Sequence, residues 1–314
     1  MGPMRRTAMT TLVAIVILGS SGIGAVTAAV AVPGSATAAA AASPICTSAK
    51  RPSLAARISR GIKDALAGRK DSVVGLAAAD PAIGLTCQFQ QRQHFYAASV
   101  IKATIISALL LKVGGPGGLT KRQRHLAYLM ITQSNNNAAT ALWNDVGMTD
   151  MQRFLNKAGM RHTKLSYSWG LTLITAQDEL KLLHLLTSPG KVLGKNSRSY
   201  VLSLMAQVIA SERWGVSAGA PSDVTVHIKN GWLPYPGADD WHINSIGAFT
   251  GTNISYQIVV LTGPPAKGDQ GESYGIQTVQ AAAEVINREL AGHYSPSSAQ
   301  AALPGPAALA APGG

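Results

Sequence analysis

Apolar positions along this chain fall into two kinds of run. Over residues 53–67, Leu54, Ile58, Ile62 and Leu66 recur every four positions, the stripe of an amphipathic helix. Residues 72–79 and 83–89 are short apolar runs separated by Asp80-Pro81, and they read as two strands joined by a turn. A helix opens at Ser99, carries Ile105, Ile106, Leu109 and Leu110, and is stopped by Gly114-Gly115-Pro116. Helical patterns follow at 119–130, from 134 to about 146, at 149–158 with a Gly159 stop, at 175–186 and at 199–210. The helix over 175–186 has Thr175 as a cap, with Asp178 and Glu179 in its first turn, where carboxylates complement the helix dipole. From Trp214 the pattern changes. Residues 224–228, 243–250 and 256–262 read as strands, and 278–290 as a closing helix.

This order predicts an α/β fold of the α+β type. Both strand groups join in one antiparallel sheet flanked by helices (about 52–98 and 214–294), and the central helices form a trimmed all-helical lobe (about 99–213). A cleft between two such lobes is a natural place for a small-molecule site.

The ends of the chain differ in texture. Arg5 and Arg6 precede an apolar stretch over 11–32, and alanine-rich A-x-A sites follow before residue 43, the layout of a secretory signal peptide over 1–42. The apolar stretch is also long enough to span a bilayer, which leaves an uncleaved membrane anchor as the alternative. Residues 295–314 are Pro/Ala-rich and read as a disordered tail. The net charge is +12, and removing the two leader arginines leaves +10. There is no Lys/Arg-dense run with interleaved aromatics, so nucleic acid is not expected as a partner, whereas an anionic cell wall is. An exported chain with two cysteines predicts a Cys46–Cys87 disulfide. The histidines show no metal-ligand spacing, so neither a metal nor a cofactor is expected. A monomer is expected.

Three short motifs carry chemistry. Ser99-Val100-Ile101-Lys102 puts a hydroxyl and an amine on one helix face at the positive end of the helix, the arrangement of an activated serine nucleophile with its base. Ser134-Asn135-Asn136 supplies a second hydroxyl to relay a proton and, in Asn136, an amide to hold both Lys102 and a substrate carbonyl. Lys229-Asn230-Gly231, at the end of the 224–228 strand, supplies positive potential near Ser134 and a glycine that lets a flat substrate lie along the strand edge. The backbone N–H groups of Ser99 and Trp232 then form the oxyanion hole.

These three motifs, in this order, resemble the penicillin-recognising serine hydrolases, most closely the class A β-lactamases, over roughly residues 54–290. The resemblance implies Ser99 as nucleophile, Lys102 as its base or hydrogen-bond partner, Ser134 as proton relay, Asn136 as the clamp of substrate and lysine, and Lys229 as the lysine on the substrate's carboxylate side. This chain departs from the pattern at several points. Asn135 stands where aspartate is usual, and Trp232 where a small residue is usual. Asn230 stands where a hydroxyl residue is usual, so a substrate carboxylate loses a donor that the Asn230 amide is expected to replace. The water-activating glutamate of class A enzymes has no counterpart, because residues 151–177 contain no Asp or Glu. Asp178, Glu179 and the remote Glu212 are poor substitutes.

The resulting expectation is a secreted serine hydrolase that forms an acyl-enzyme at Ser99 with a β-lactam or related amide or ester. Two alternatives are a D,D-peptidase-like or penicillin-binding protein acting on a peptidoglycan-type substrate and deacylating slowly, and a non-catalytic cell-wall-binding protein.

Overall fold

A computed structural model describes residues 43–70, 72–234, 241–263 and 271–294. The expected leader over 1–42 and the expected tail over 295–314 lie outside the described residues. The strands are β1 (Cys46–Ser48), β2 (Val73–Asp80), β3 (Leu85–Phe89), β4 (Phe95–Tyr96), β5 (Leu173–Ile174), β6 (Thr225–Pro234), β7 (Trp241–Gly251) and β8 (Ile254–Gly263). The helices are α1 (Pro52–Ala67), α2 (Ile101–Lys112), α3 (Lys121–Thr132), α4 (Asn136–Val146), α5 (Met148–Ala158), α6 (Ala176–Thr187), α7 (Lys195–Ala206) and α8 (Glu272–Tyr294).

Six strands form one sheet in the order β1-β3-β2-β8-β7-β6, and every neighbouring pair is antiparallel. Helices cover both faces, so its central strands read as nearly continuous apolar runs. The two-residue period of a strand still sorts their side chains. In β8, Ile258 and Val260 join the core made with α1 and α8, whereas Val259 and Leu261 join the core of the helical lobe. In β2, Leu76 and Ala78 take the first side and Ala77 the second. The first core locks Ile58 and Ile62 of α1 against the sheet, both fully buried, and each such side chain stabilises by about 1.5–3 kcal/mol. Cys46 and Cys87 are partners in the β1–β3 register and are joined as a disulfide, with 3.9 Å between their Cα atoms. No helix among the described residues is long and apolar enough to cross a membrane.

Several elements depart from the expected bounds. The expected helix over 199–210 lies four residues earlier, because α7 starts after Gly194 and ends at Ala206. The expected strand over 224–228 continues to Pro234, since its pairing with β7 runs without a break to Trp241. Lys229-Asn230-Gly231 therefore lies inside a strand rather than at its end. β6 is also the edge of the sheet, so part of its backbone faces the helical lobe without a ladder partner. The helix after Ser134 begins only at Asn136, and Asn135, not Ser134, caps it: Asn135 Oδ1 accepts the Ala138 N–H at 2.8 Å. The closing helix begins at Glu272, six residues before its expected start.

Candidate active site

Ser99 sits in a single 3-10 turn, Ala98–Val100, that runs directly into α2. Ala98 just before it has φ +48°, a left-handed conformation that costs a non-glycine residue on the order of 1 kcal/mol. Ser134 has φ +53°. Both turns are held by their surroundings. The Ala97 N–H donates to Thr172 O (2.8 Å), and the Asn135 N–H donates to Leu129 O (3.2 Å). Gly231 of β6 lies against the backbone of Ser99. A Cβ placed there would stand 2.6 Å from Ser99 N, 2.7 Å from Val100 N and 3.0 Å from Ala97 O. The space a side chain would need at this position is thus filled by the Ser99 turn.

Lys102 is fully buried beneath this turn. Its Nζ lies within hydrogen-bond distance of four oxygens, Ser99 Oγ (2.8 Å), Ser134 O (2.6 Å), Asn136 Oδ1 (2.7 Å) and Ser134 Oγ (3.2 Å). Lys229, also buried, donates to Ser134 Oγ (2.9 Å) and to Asn230 O (2.7 Å). The structure therefore brings Ser99, Lys102, Ser134, Asn136 and Lys229 into one connected network. Ser134 Oγ stands between the two lysines. Burial, followed by the charge of Lys229 and opposed by that of Glu212, pulls Lys102 down to about 7. Burial pulls Lys229 down to about 8, again opposed by Glu212. A lysine near 7 is substantially neutral at neutral pH and can accept a proton from the hydroxyl it touches.

Asn230 takes no part in this network through its side chain. Its amide donates to Glu212 O (2.8 Å) and Trp214 O (2.9 Å), and its Oδ1 accepts from Ser245 Oγ (2.5 Å). These side-chain atoms are turned into the protein, away from Lys229 by the alternation of the strand. The expected replacement of a substrate donor by this amide is therefore corrected: Asn230 fastens the 212–216 segment to β6.

Ser99, Asn136 and Trp232 line one cleft of about 340 Å³ with Ser168, Trp169 and Leu171. Trp169 comes from the acid-free loop before α6. Its ring centroid lies 4.9 Å from Lys102 Nζ, and its Nε1 donates to Thr140 Oγ1 (3.1 Å). Across the cleft, Trp232 packs against Trp214 with 5.8 Å between ring centroids. The acids just beyond the loop point elsewhere. Asp178 collects the N–H groups of His162 and Thr163, the Thr163 hydroxyl and Lys181 Nζ. Glu179 is fully buried, and burial, with Asp178 beside it, pushes it up to about 8, so it is largely neutral at pH 7. His227 uses both ring nitrogens, on Leu202 O and Thr250 Oγ1. No group of His, Cys, Asp and Glu among the described residues could hold a metal ion.

The positions of Trp169 and Glu212 were not readable from the motifs. An acid-free loop carrying a tryptophan, and an asparagine directly after the strand lysine, are the only sequence traces of them.

Residues 111–290, more than half of the chain, match the sequence profile of the beta-lactamase enzyme family. That span holds Ser134, Asn136 and Lys229 and begins after Ser99 and Lys102. No curated protein matches the chain in sequence. Among solved structures, the fold is similar to a beta-lactamase from Streptosporangium roseum, with a TM-score of 0.63 at 18% identity, covering 75% of this chain and 98% of that one. It is similar to a class A beta-lactamase from Mycobacterium abscessus, with a TM-score of 0.63 at 19% identity, covering 74% and 98%. It is likewise similar to a mutant of PBP-A in an acyl-enzyme complex with penicillin G, with a TM-score of 0.62 at 17% identity, covering 74% and 96%.

Proposed function

The chain belongs to the beta-lactamase enzyme family, and we propose that it is a secreted serine hydrolase acylated at Ser99 by a β-lactam or a related amide or ester. The observation that carries this reading is the Lys102 amine, buried and 2.8 Å from Ser99 Oγ. Neutral Lys102 takes the Ser99 proton as Oγ bonds to the substrate carbonyl carbon. The Ser99 and Trp232 N–H groups hold the oxygen that becomes negative. Ser134 Oγ then gives its proton to the leaving nitrogen or oxygen as that bond breaks, and is re-protonated by Lys229 or Lys102, which both lie within 3.2 Å of it. Asn136 orients Lys102 and is available to a substrate amide. The product is an ester on Ser99, which water must hydrolyse to complete turnover.

The acid-free loop favours a second reading for that last step. Trp169 stands beside Lys102 on the cleft wall, and the nearby carboxylates Asp178 and Glu179 are committed or neutral. Slow deacylation, as in a penicillin-binding protein acting on cell-wall peptides, is therefore the alternative outcome. Stopped-flow hydrolysis of a chromogenic cephalosporin separates the two: sustained turnover supports a lactamase, and one stoichiometric burst supports the slow enzyme. Absence of both burst and turnover, with Ser99→Ala indistinguishable from the parent, removes the proposal. The basic charge of the chain and its leader support export and contact with an anionic wall.

A further inference from the structure

Among the described residues, Lys229 has one carboxylate close to it. Glu212 Oε2 lies 4.0 Å from Lys229 Nζ, with the glutamate side chain 14% exposed and the lysine 1% exposed. That oxygen is buried and accepts no hydrogen bond among the described residues. A carboxylate oxygen that is buried and has no donor is little screened on that side, so its field falls on the cations beside it. Glu212 acts on both buried lysines of the Ser134 network, and it is the carboxylate whose charge opposes the lowering of each.

Its placement is built in. Asn230, the neighbour of Lys229 in β6, holds the Glu212 carbonyl at 2.8 Å and the Trp214 carbonyl at 2.9 Å. Ser245 of β7 completes the bolt, donating to Asn230 Oδ1 and accepting the Val216 N–H at 2.9 Å. Gly215 is needed there, because a Cβ would stand 2.4 Å from Ser245 Oγ. The next cation in the chain, Arg213, is occupied with Ala206 O. The residue that replaces a substrate-facing hydroxyl thus fixes a carboxylate behind the lysine.

We infer that Glu212 is the internal counter-ion of Lys229, and that it makes the cleft select acyl donors that are uncharged on the Lys229 side, neutral esters or amides over carboxylates. The inference rests on the reading of Ser99 as an acylated nucleophile. An anionic ligand group approaching Lys229 meets a charge already compensated, and is repelled by Glu212 just beyond it. The apolar walls at Trp169, Leu171 and Trp232 suit an uncharged ligand.

The test uses a matched pair, a penicillin and its carboxyl methyl ester, with second-order acylation rate constants measured by intact mass. The pH is 6, below the value of about 8 at which Lys229 loses its proton. The parent protein is expected to react with the ester at least as fast as with the free acid. Glu212→Gln is expected to shift the acid-to-ester ratio at least tenfold toward the acid, and Glu212→Asp, which keeps the charge, to retain the parent ratio. A general loss of structure lowers both rates and leaves their ratio alone. A parent ratio already tenfold in favour of the acid, or a ratio in Glu212→Gln within twofold of the parent's, overturns the inference. Should neither compound acylate the parent, the nucleophile reading fails separately. The charge preference is then read from equilibrium binding of the same pair to Ser99→Ala and to the Ser99→Ala/Glu212→Gln double variant, by cleft tryptophan fluorescence. The same shift in ratio supports it and an unmoved ratio overturns it.

Discussion

Gly231→Ala should disable acylation while leaving the fold intact. The added Cβ would stand 2.6 Å from Ser99 N and 2.7 Å from Val100 N, where ordinary contact begins at 3.4 Å. Relief requires a displacement of about 0.8 Å (3.4 less 2.6) between β6 and the Ser99 turn. Neither side yields easily. β6 is paired with β7 over ten residues, and the Ser99 turn is pinned at Ala97 to Thr172 O. The shift falls on the distance between Ser99 and Trp232, whose N–H groups are proposed to hold the same oxygen. Misplacement on this scale costs on the order of 10²-fold per ångström, so a loss of roughly 30- to 100-fold, or about 2–3 kcal/mol, is expected. The assay is the second-order rate constant for labelling by a fluorescent penicillin, alongside the melting temperature. A variant that labels within threefold of the parent and melts unchanged would refute the claim that the close approach of β6 to Ser99 sets up the site.

Three further outcomes follow from the same structure. Acylation should rise with pH as Lys102 loses its proton near 7 and fall as Lys229 loses its own near 8, giving a narrow maximum between them; a rate–pH profile flat from about pH 6 to 9 contradicts this. Glu179 holds its proton up to about 8 when folded and only to its ordinary 4.5 when unfolded, so the folded state binds more protons across that window and stability falls as pH rises through it. The slope is on the order of 1 kcal/mol per pH unit, and urea titrations of Glu179→Gln at about pH 5 and 8 should show it flattened. Replacing Cys46 and Cys87 by serine opens a closed loop with a sequence separation of 41 and should lower unfolding free energy by about 2–4 kcal/mol without changing the acylation rate; a loss of labelling with an intact fold goes against it.

Much of this architecture is written locally. The stripe at Leu54, Ile58 and Ile62 names α1, and the three-residue step from Ser99 to Lys102 survives as a 2.8 Å contact. The Cys46–Cys87 pair was readable because two cysteines allow a single intramolecular pairing. What escaped depends on tertiary placement. β6 outruns its apolar alternation because Lys229 and Asn230 are polar yet buried, one in the serine–lysine network and the other in the bolt to Glu212. Asn135 serves as well as an aspartate because its structural task is to cap α4, for which either side chain suffices. Glu212 stands 17 residues before Lys229, and no periodicity links them; only the folding of the 212–216 segment onto β6 and β7 brings the charges to 4.0 Å. The end of α7 slipped because Val208 and Ile209 prolong the apolar pattern past Gln207, where the helix stops.

The most direct test is mass spectrometry of the intact protein after brief exposure to a penicillin, followed by digestion. One added acyl mass is expected, carried by the peptide containing Ser99 and lost in Ser99→Ala, with Lys102→Ala slowed by several orders of magnitude. An adduct on another residue, or none at any exposure, would contradict it.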